Sequence, residues 1–415
     1  MRNNRFLRGG PRGALVAALI AAGVLSGGLV RAHEAEEDAL PGTAGWRLNA
    51  AAALSAIKAN QSWPMPRWSG VLGSGQTADD RRGLHVEHAM LGGAFRADTA
   101  GGVQLGARLA VGWHGQGAAH VETATGEARY RLGDDPLSLS AGRMAMPMGA
   151  VLTDAGHLDR YAQTPLIRRA VSDGDWIDDG VHLRWRRGDS QDDGLQTVGV
   201  GLWRANVFPG SADAAVAPSL YLRAGQGEWT ADGFAMRLAP RSRGAYAASS
   251  TAGHTHSQPD CARSLVGVTC FDGRSVVVGA SLRWTPHDLP LVLTLAGLSQ
   301  HERGTLDSLS GSADYRGRTT GGWLDAVWSL DARWQLGLRA ERLVARHRLE
   351  GPGATGVAQD AGLATNQPMH RLAGSLALQP SEGWRVIAEA GAERGAERTS
   401  RWVGLRLITQ ASLQP

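Results

Sequence analysis

Residues 101–114 read GGVQLGARLAVGWH, and apolar side chains occupy every second position of this stretch. Side chains along a β-strand point alternately to its two faces, so the pattern predicts a strand with one apolar face and one polar or small-residue face. The apolar face comprises Val103, Leu105, Ala107, Leu109, Val111 and Trp113. The opposite face comprises Gln104, Gly106, Arg108, Ala110, Gly112 and His114.

The same alternation recurs along the chain and predicts sixteen strands. They lie near residues 46–56, 84–96, 101–114, 119–132, 136–145, 180–187, 195–206, 218–225, 228–239, 275–285, 290–301, 319–330, 333–347, 368–379, 383–393 and 399–409. Every second connection is a short polar turn, whereas most of the others are long, at 57–83, 146–179, 240–274, 302–318 and 348–367. An even number of strands with this asymmetry of connections is typical of a transmembrane antiparallel β-barrel with short periplasmic turns and long external loops.

The positions of several tryptophans match the difference between short and long connections. Trp185, Trp229, Trp284, Trp334 and Trp384 all lie at the short-turn ends of predicted strands. Amphipathic indoles favour the boundary between hydrocarbon and headgroups, so these residues predict a periplasmic girdle, with Trp113, Trp203 and Trp323 as candidates for the opposite girdle. A β-propeller, whose blades also repeat about every fifty residues, is the alternative architecture. It is disfavoured because no repeated blade motif occurs.

The amino terminus predicts export. Four arginines precede the apolar stretch ALVAALIAAGVL, and Val30-Arg31-Ala32 resembles a secretory cleavage site, so residues 1–32 are predicted to be a signal peptide. Residues 33–45 would then form a short periplasmic segment and residues 46–415 the barrel. Without residues 1–32 the chain has 38 basic and 39 acidic residues. This balance, together with the absence of a basic run interleaved with aromatics, gives no reason to expect a nucleic-acid partner.

The third external connection, which follows the fifth predicted strand, contains the most candidate functional residues. Residues 142–180 read GRMAMPMGAVLTDAGHLDRYAQTPLIRRAVSDGDWIDDG. In its position after the fifth strand, this loop resembles the constriction loop that folds into the lumen of general porins. Gly142-Arg143 followed by Met146-Pro147-Met148-Gly149 resembles the phosphate-selective porin family. The resemblance implies a homotrimer in the outer-membrane lipid of a Gram-negative bacterium, and passive conduction of small polar or anionic solutes such as phosphate.

We expect one wall of a constriction to be formed by arginines, because planar guanidinium groups pair bidentately with carboxylate and phosphate. Loop aspartates would brace or oppose them. The alternative is a loop held by internal ion pairs without any selectivity. The arginines are Arg143, Arg160, Arg168 and Arg169 of the loop and the lumen-facing Arg108, Arg129, Arg131, Arg184 and Arg186; the aspartates are Asp154, Asp173 and Asp175.

Cys261 and Cys270 are the only cysteines, and they are nine positions apart in one predicted external loop. We expect them to form a disulfide, because the periplasm is oxidising and a ring of this size stabilises by about 2–3 kcal/mol. Histidines and acids in residues 33–38 and 254–260 include metal-ligand types, but neither group has a metal-site spacing, so no metal site or cofactor is predicted.

Enzyme motifs are also missing from the sequence. We find neither HExxH nor a phosphate-binding glycine loop placed between a strand and a helix. The sequence therefore predicts an outer-membrane porin without enzymatic activity. A barrel that does not conduct and serves as a structural or adhesive surface protein is the alternative from a different class.

Overall fold

The computed structural model of the chain describes residues 40–41, 43–65, 68, 70–73, 80–115, 119–153, 158–174, 176–188, 194–212, 215–247, 261–363, 367–395 and 398–414. The predicted signal peptide and most of segment 33–45 lie outside these residues. The histidines of residues 33–38 and 254–260 lie outside them as well.

Sixteen antiparallel strands close into a barrel, which confirms the predicted fold class. A short additional strand, β10, continues the line of β9 beside the upper part of β11. The strands are β1 (Gly45–Ala59), β2 (Gly83–Asp98), β3 (Gln104–Trp113), β4 (His120–Leu132), β5 (Asp135–Ala145), β6 (Ile177–Arg186), β7 (Gly194–Trp203), β8 (Ala217–Gln226), β9 (Trp229–Leu238), β10 (Arg243–Tyr246), β11 (Val268–Trp284), β12 (Leu291–Ser308), β13 (Gly311–Ser329), β14 (Trp334–Glu350), β15 (Met369–Ser381), β16 (Trp384–Arg394) and β17 (Thr399–Leu413).

The barrel closes because β1 pairs with both β2 and β17. Its outer surface is apolar, and the register aligns large side chains around it. Leu282 of β11 lies opposite Leu295 of β12, which in turn lies opposite Leu324 of β13. All three leucines are exposed. In a soluble fold such a band would be covered by a second layer, whereas in a membrane barrel it contacts lipid.

The tryptophans divide into two groups. Trp229 and Trp334, at the short-turn end, are exposed on the outer surface, as expected for a girdle. Trp203 and Trp323 are buried, with 1% and 2% of their surface exposed, so their assignment to an opposite girdle is wrong. Strand alternation turns both indoles inward, where they pack in the interior apolar cluster.

The predicted long connection at residues 302–318 is also wrong. β12 and β13 continue through it as a paired hairpin, and the turn consists of Leu309 and Ser310 only. The inward side chains of this extension, Leu306, Ala313 and Tyr315, are buried against a helix of the next loop. The outward face of this extension is polar, so its overall composition resembles that of a loop. The sequence therefore predicts a loop where the structure has two strands.

Three short helices lie within the external connections. They are α1 (Ala150–Thr153), α2 (Leu166–Ser172) and α3 (Ala354–Asp360). In the described part of the chain, no helix has the length and apolarity needed to cross a bilayer. Cys261 and Cys270 form the predicted disulfide, with their Cα atoms 6.0 Å apart.

Candidate functional site

The loop between β5 and β6 folds into the barrel and lies against the wall formed by β11–β17. Leu166 and Ile167 of α2 are buried in one cluster with Trp323 of β13 and Leu343 of β14. Helix α1 contacts β11 and β12, while α2 contacts β12, β13 and β14. The largest interior apolar cluster therefore lies between this loop and inward side chains of β7–β9 and β11–β15.

Charged side chains of the wall hold the main chain of the loop. The Leu166 amide donates to Glu341 Oε2 at 2.6 Å, and the Ala162 amide donates to Glu389 Oε2 at 2.8 Å. Arg371 Nη1 donates to the Thr164 carbonyl oxygen at 2.8 Å. Hydrogen bonds between a charged group and a buried peptide contribute roughly 1.5–3 kcal/mol each. These contacts fix the path of residues 158–166.

The same side chains pair with one another behind the loop, and we call the set the charged cradle. Arg371 bridges Glu341 at 3.3 Å and Glu393 at 2.7 Å. Arg406 pairs with Glu87 at 2.7 Å, and Arg339 pairs with Asp325 at 2.7 Å and with Asp159 of the loop at 3.2 Å. The cradle comprises Glu87, Asp325, Arg339, Glu341, Arg371, Glu389, Glu393 and Arg406.

The arginines predicted to line a constriction from the loop instead anchor the loop. Arg168 is 1% exposed and donates from Nε to the Gly174 carbonyl oxygen at 3.0 Å. Arg160 donates to Gln335 Oε1 at 2.8 Å. Arg169 donates to the Met65 carbonyl oxygen at 2.7 Å and stacks over the Trp68 ring. Burial lowers the pKa of Arg169 to about 10, so the side chain stays cationic at neutral pH.

Arg143 does not face the lumen. In the β4–β5 register it lies opposite Ala124, on the face shared with the exposed Leu139, and in the β5–β6 register it lies opposite Asp179. Its guanidinium is 3.8 Å from the Asp179 carboxylate. Its predicted place in the constriction is wrong, because Arg143 is still part of strand β5 and the alternation turns it outward.

Among the aspartates, Asp173 is described, and it ends α2 in a left-handed conformation with φ of 57°. Its amide donates to the Arg169 carbonyl oxygen at 3.1 Å, so its main chain closes the helix. Asp154 and Asp175 lie outside the described residues.

The predicted lumen-facing arginines of the strands all occupy inward positions. Arg129 lies opposite Ser138, and Arg184 lies opposite the same serine from the other side. With one further inward arginine on β8, they form a set that we call the arginine wall. It comprises Arg108, Arg129, Arg131, Arg184, Arg186 and Arg223.

Two carboxylates pair with part of this wall. Glu127 contacts Arg108 at 2.6 Å and Arg129 at 3.1 Å, and Asp232 contacts Arg223 at 3.1 Å. Six guanidinium groups therefore occupy inward positions in the middle and short-turn parts of β3–β8, together with these two carboxylates. Arg108 and Arg129 keep 20% and 19% of their side-chain surface exposed, so solvent reaches the wall from inside the barrel.

Sequence reasoning missed the charged cradle. Its members occupy inward positions of β2 and of β13–β17, and each could be assigned to the polar face by alternation alone. The alternation does not distinguish a charged side chain that contacts water from one that binds a loop, because the partners Ala162 and Leu166 are 227 and 175 residues away in the chain.

No protein-family model matches the chain, and no curated protein matches it. Solved structures of bacterial outer-membrane proteins do match in fold. The anion-selective porin from Comamonas acidovorans has 12% identity and a TM-score of 0.53, over 88% of this chain and 99% of that chain. OmpF of Salmonella typhi, in complex with daunomycin, has 11% identity and a TM-score of 0.54, over 88% and 97%.

OmpT, an outer-membrane protein of Vibrio cholerae in its trimer form, has 11% identity and a TM-score of 0.57, over 89% of this chain and 99% of that chain. At such identities the similarity establishes the fold alone. The protein is thus a closed β-barrel of the kind found in the outer membrane of Gram-negative bacteria, with porins among its structural neighbours.

Proposed function

We propose that this protein is an outer-membrane porin, a passive aqueous channel for small polar solutes with a preference for anions. The arginine wall is the observation that carries the proposal. Its six guanidinium groups lie at inward positions of β3–β8, and they would give the lumen a cationic surface on one side. A cationic wall raises the local concentration of anions and lowers that of cations.

Single-channel recording in a planar bilayer under a salt gradient tests the proposal. The protein should give discrete conductance steps and a reversal potential on the anion-selective side. Replacing Arg129, Arg131 and Arg184 together by glutamine should move the reversal potential toward the cation-selective side. The control is Arg143→Gln, which removes one positive charge from the outer face by the same type of substitution and should leave the reversal potential unchanged.

Three results would contradict parts of this proposal. An unchanged reversal potential in the triple variant would remove the role of the arginine wall while keeping the channel. A cation-selective wild-type protein would contradict the anion preference. Silence from correctly folded protein would overturn the channel and favour a non-conducting surface barrel.

Phosphate and carboxylate anions are the proposed solutes, because the planar donors of guanidinium match their oxygens bidentately. Arg184 and Arg129 flank the short side chain of Ser138 from neighbouring strands, so two guanidinium groups can act on one anion. Phosphate added to a chloride solution should reduce the chloride current, and the triple glutamine variant should abolish this reduction. Equal block of both proteins would show that any phosphate effect arises elsewhere.

Trimeric assembly is the proposed quaternary state, supported by the trimer form of a structural neighbour. The mass of the folded protein in detergent, corrected for bound detergent, should be that of three chains; the mass of one chain would overturn it. We also propose that the protein has no catalytic activity, and folded protein in detergent should not hydrolyse ester or peptide substrates.

A further inference from the structure

Three histidines and one glutamate converge at the long-loop end of β2, β3 and β4. His88 lies on β2, His114 directly follows β3, and His120 and Glu122 lie at the start of β4. This histidine–glutamate cluster is separate from the charged cradle and from the arginine wall. Nothing in the proposed channel function requires it.

The ring nitrogens point to a single oxygen atom. The Nε2 atoms of His88, His114 and His120 lie 2.9, 3.2 and 3.7 Å from Glu122 Oε1. A tetrahedral ion with bonds of 2.0–2.1 Å separates its ligand atoms by about 3.3 Å, within the range of these three distances. The ligand atoms of His88, His114 and Glu122 also lie within 4.8 Å of one another. Ligand atoms this close together can bind one small cation.

Local backbone features make room for this arrangement. A Cβ atom at residue 112 would collide with the Glu122 carboxylate, so Gly112 is required beneath it. Gly115, in a left-handed conformation with φ of 41°, passes close to the Val86 carbonyl and keeps the chain after His114 near β2. The side chains become more exposed across the cluster, from 5% at His88 to 34% at His114 and 45% at His120, which leaves a route from solvent.

We propose that His88, His114 and Glu122 bind a divalent transition-metal ion of the Zn²⁺ type, with His120 placed to supply a fourth ligand. Imidazole nitrogens favour zinc, copper and nickel, whereas magnesium and calcium favour all-oxygen sites. The bound ion links β2, the end of β3 and β4 across the short connection between β3 and β4. It also adds positive charge near the external mouth of the barrel.

The test is a Zn²⁺ titration of the folded mature chain, purified without a polyhistidine tag and stripped with EDTA, against a chromophoric chelator. Loss of a residue that only hydrogen-bonds to a metal ligand weakens metal sites by about 10- to 100-fold, so loss of a ligand itself, in His114→Ala or Glu122→Gln, should weaken Zn²⁺ binding by about 100-fold or more. His85→Ala is the matched control. It removes a histidine three residues from His88 whose Nε2 contacts the Arg82 carbonyl oxygen instead.

All variants keep the histidines of residues 33–38 and 254–260, so binding there cancels in the comparison. Loss of affinity in the cluster variants but not in His85→Ala supports the site, and equal affinity in all of them overturns it. X-ray absorption of the Zn²⁺-loaded wild-type protein gives a second readout that needs no variant. Imidazole nitrogens at 2.0–2.1 Å are expected, and a shell of oxygen ligands without imidazole would overturn the proposal.

Discussion

Arg406 of β17 and Glu87 of β2 form an ion pair across the intervening strand β1, whose small Ser55 lies opposite Arg406. Both charged side chains have 1% of their surface exposed. Arg406→Met leaves the Glu87 carboxylate buried without this partner, and breaking a buried pair in this way costs about 3–5 kcal/mol. We expect this loss in the free energy of unfolding, measured with urea on protein folded in lipid vesicles.

The double variant Glu87→Leu, Arg406→Met provides the control. Replacing both charges by apolar side chains of similar volume is often neutral, so most of the lost stability should return. A double variant as unstable as Arg406→Met would show that the contact between Arg406 Nη1 and the Asp159 carbonyl oxygen, rather than the ion pair, is what matters.

At the residue scale the sequence predicts which face a side chain occupies but not what it contacts there. Alternation predicts that Arg129 and Arg184 lie on the inward face, and the strand register agrees. Alternation cannot predict the position of Arg168, because this residue lies in a loop and its direction is not set by strand periodicity. Arg143 is predicted to face the lumen as part of the loop. Extending the alternation of β5 to residue 143 instead predicts that it faces outward.

At the scale of elements, the loop between β5 and β6 depends on Glu389, which accepts from the Ala162 amide and from Trp402 Nε1. Glu389→Ala should loosen residues 158–166. A hydrogen bond to a charged group contributes roughly 1.5–3 kcal/mol, so amide exchange of this segment should accelerate by about 10- to 100-fold. Hydrogen–deuterium exchange with mass spectrometry measures it.

Glu382→Ala, in the exposed turn between β15 and β16, is the matched control, because it removes the same carboxylate far from the loop. Its exchange pattern in residues 158–166 should equal that of the wild-type protein. Unchanged exchange in Glu389→Ala as well would mean that apolar packing of Leu166 and Ile167 alone holds the loop.

The β12–β13 hairpin shows why strand ends were harder to predict than strands. Within the membrane band one face must be apolar, so alternation is strong there, as at Leu295 and Leu324. Above that band lipid no longer selects the outward residues, and Arg303 and Arg316 lie opposite each other in the continuing ladder. The two strands therefore remain hydrogen-bonded beyond the region in which apolar and polar residues alternate.

At the scale of the whole molecule, the apolar band predicts where on the outer surface a charged side chain destabilises the barrel. Leu295 lies within the band and is 58% exposed, whereas Leu309, at the hairpin tip, is 70% exposed but lies beyond it. Leu295→Arg should destabilise the folded barrel by about 2–4 kcal/mol, because an arginine near the bilayer midplane faces hydrocarbon. Leu309→Arg should cost almost nothing. Urea unfolding from lipid vesicles compares them, and equal effects would contradict the membrane placement.

The closed sixteen-strand barrel could be predicted because lipid and lumen impose opposite polarity on successive residues of every strand. The constriction could not be predicted to the same degree. Trp203 and Trp323 are predicted at the lipid boundary because they lie near long-loop ends of predicted strands, yet they pack inside the barrel in one cluster with the loop. The loop is held on its side of the barrel by hydrogen bonds from its main chain to wall carboxylates such as Glu341 and Glu389, and these contacts produce no periodic pattern in the sequence.

The disulfide has a practical consequence for determining orientation. Cys261 and Cys270 are the only cysteines in the chain, and they are joined, so the native protein has no free thiol. A single cysteine in place of Ser310, at the tip of the β12–β13 hairpin, is then a unique attachment point. On intact cells, a membrane-impermeant maleimide should label Ser310→Cys but not a cysteine in place of Asp331, in a turn at the opposite end of the barrel. The reversed pattern would mean that the short turns face outward.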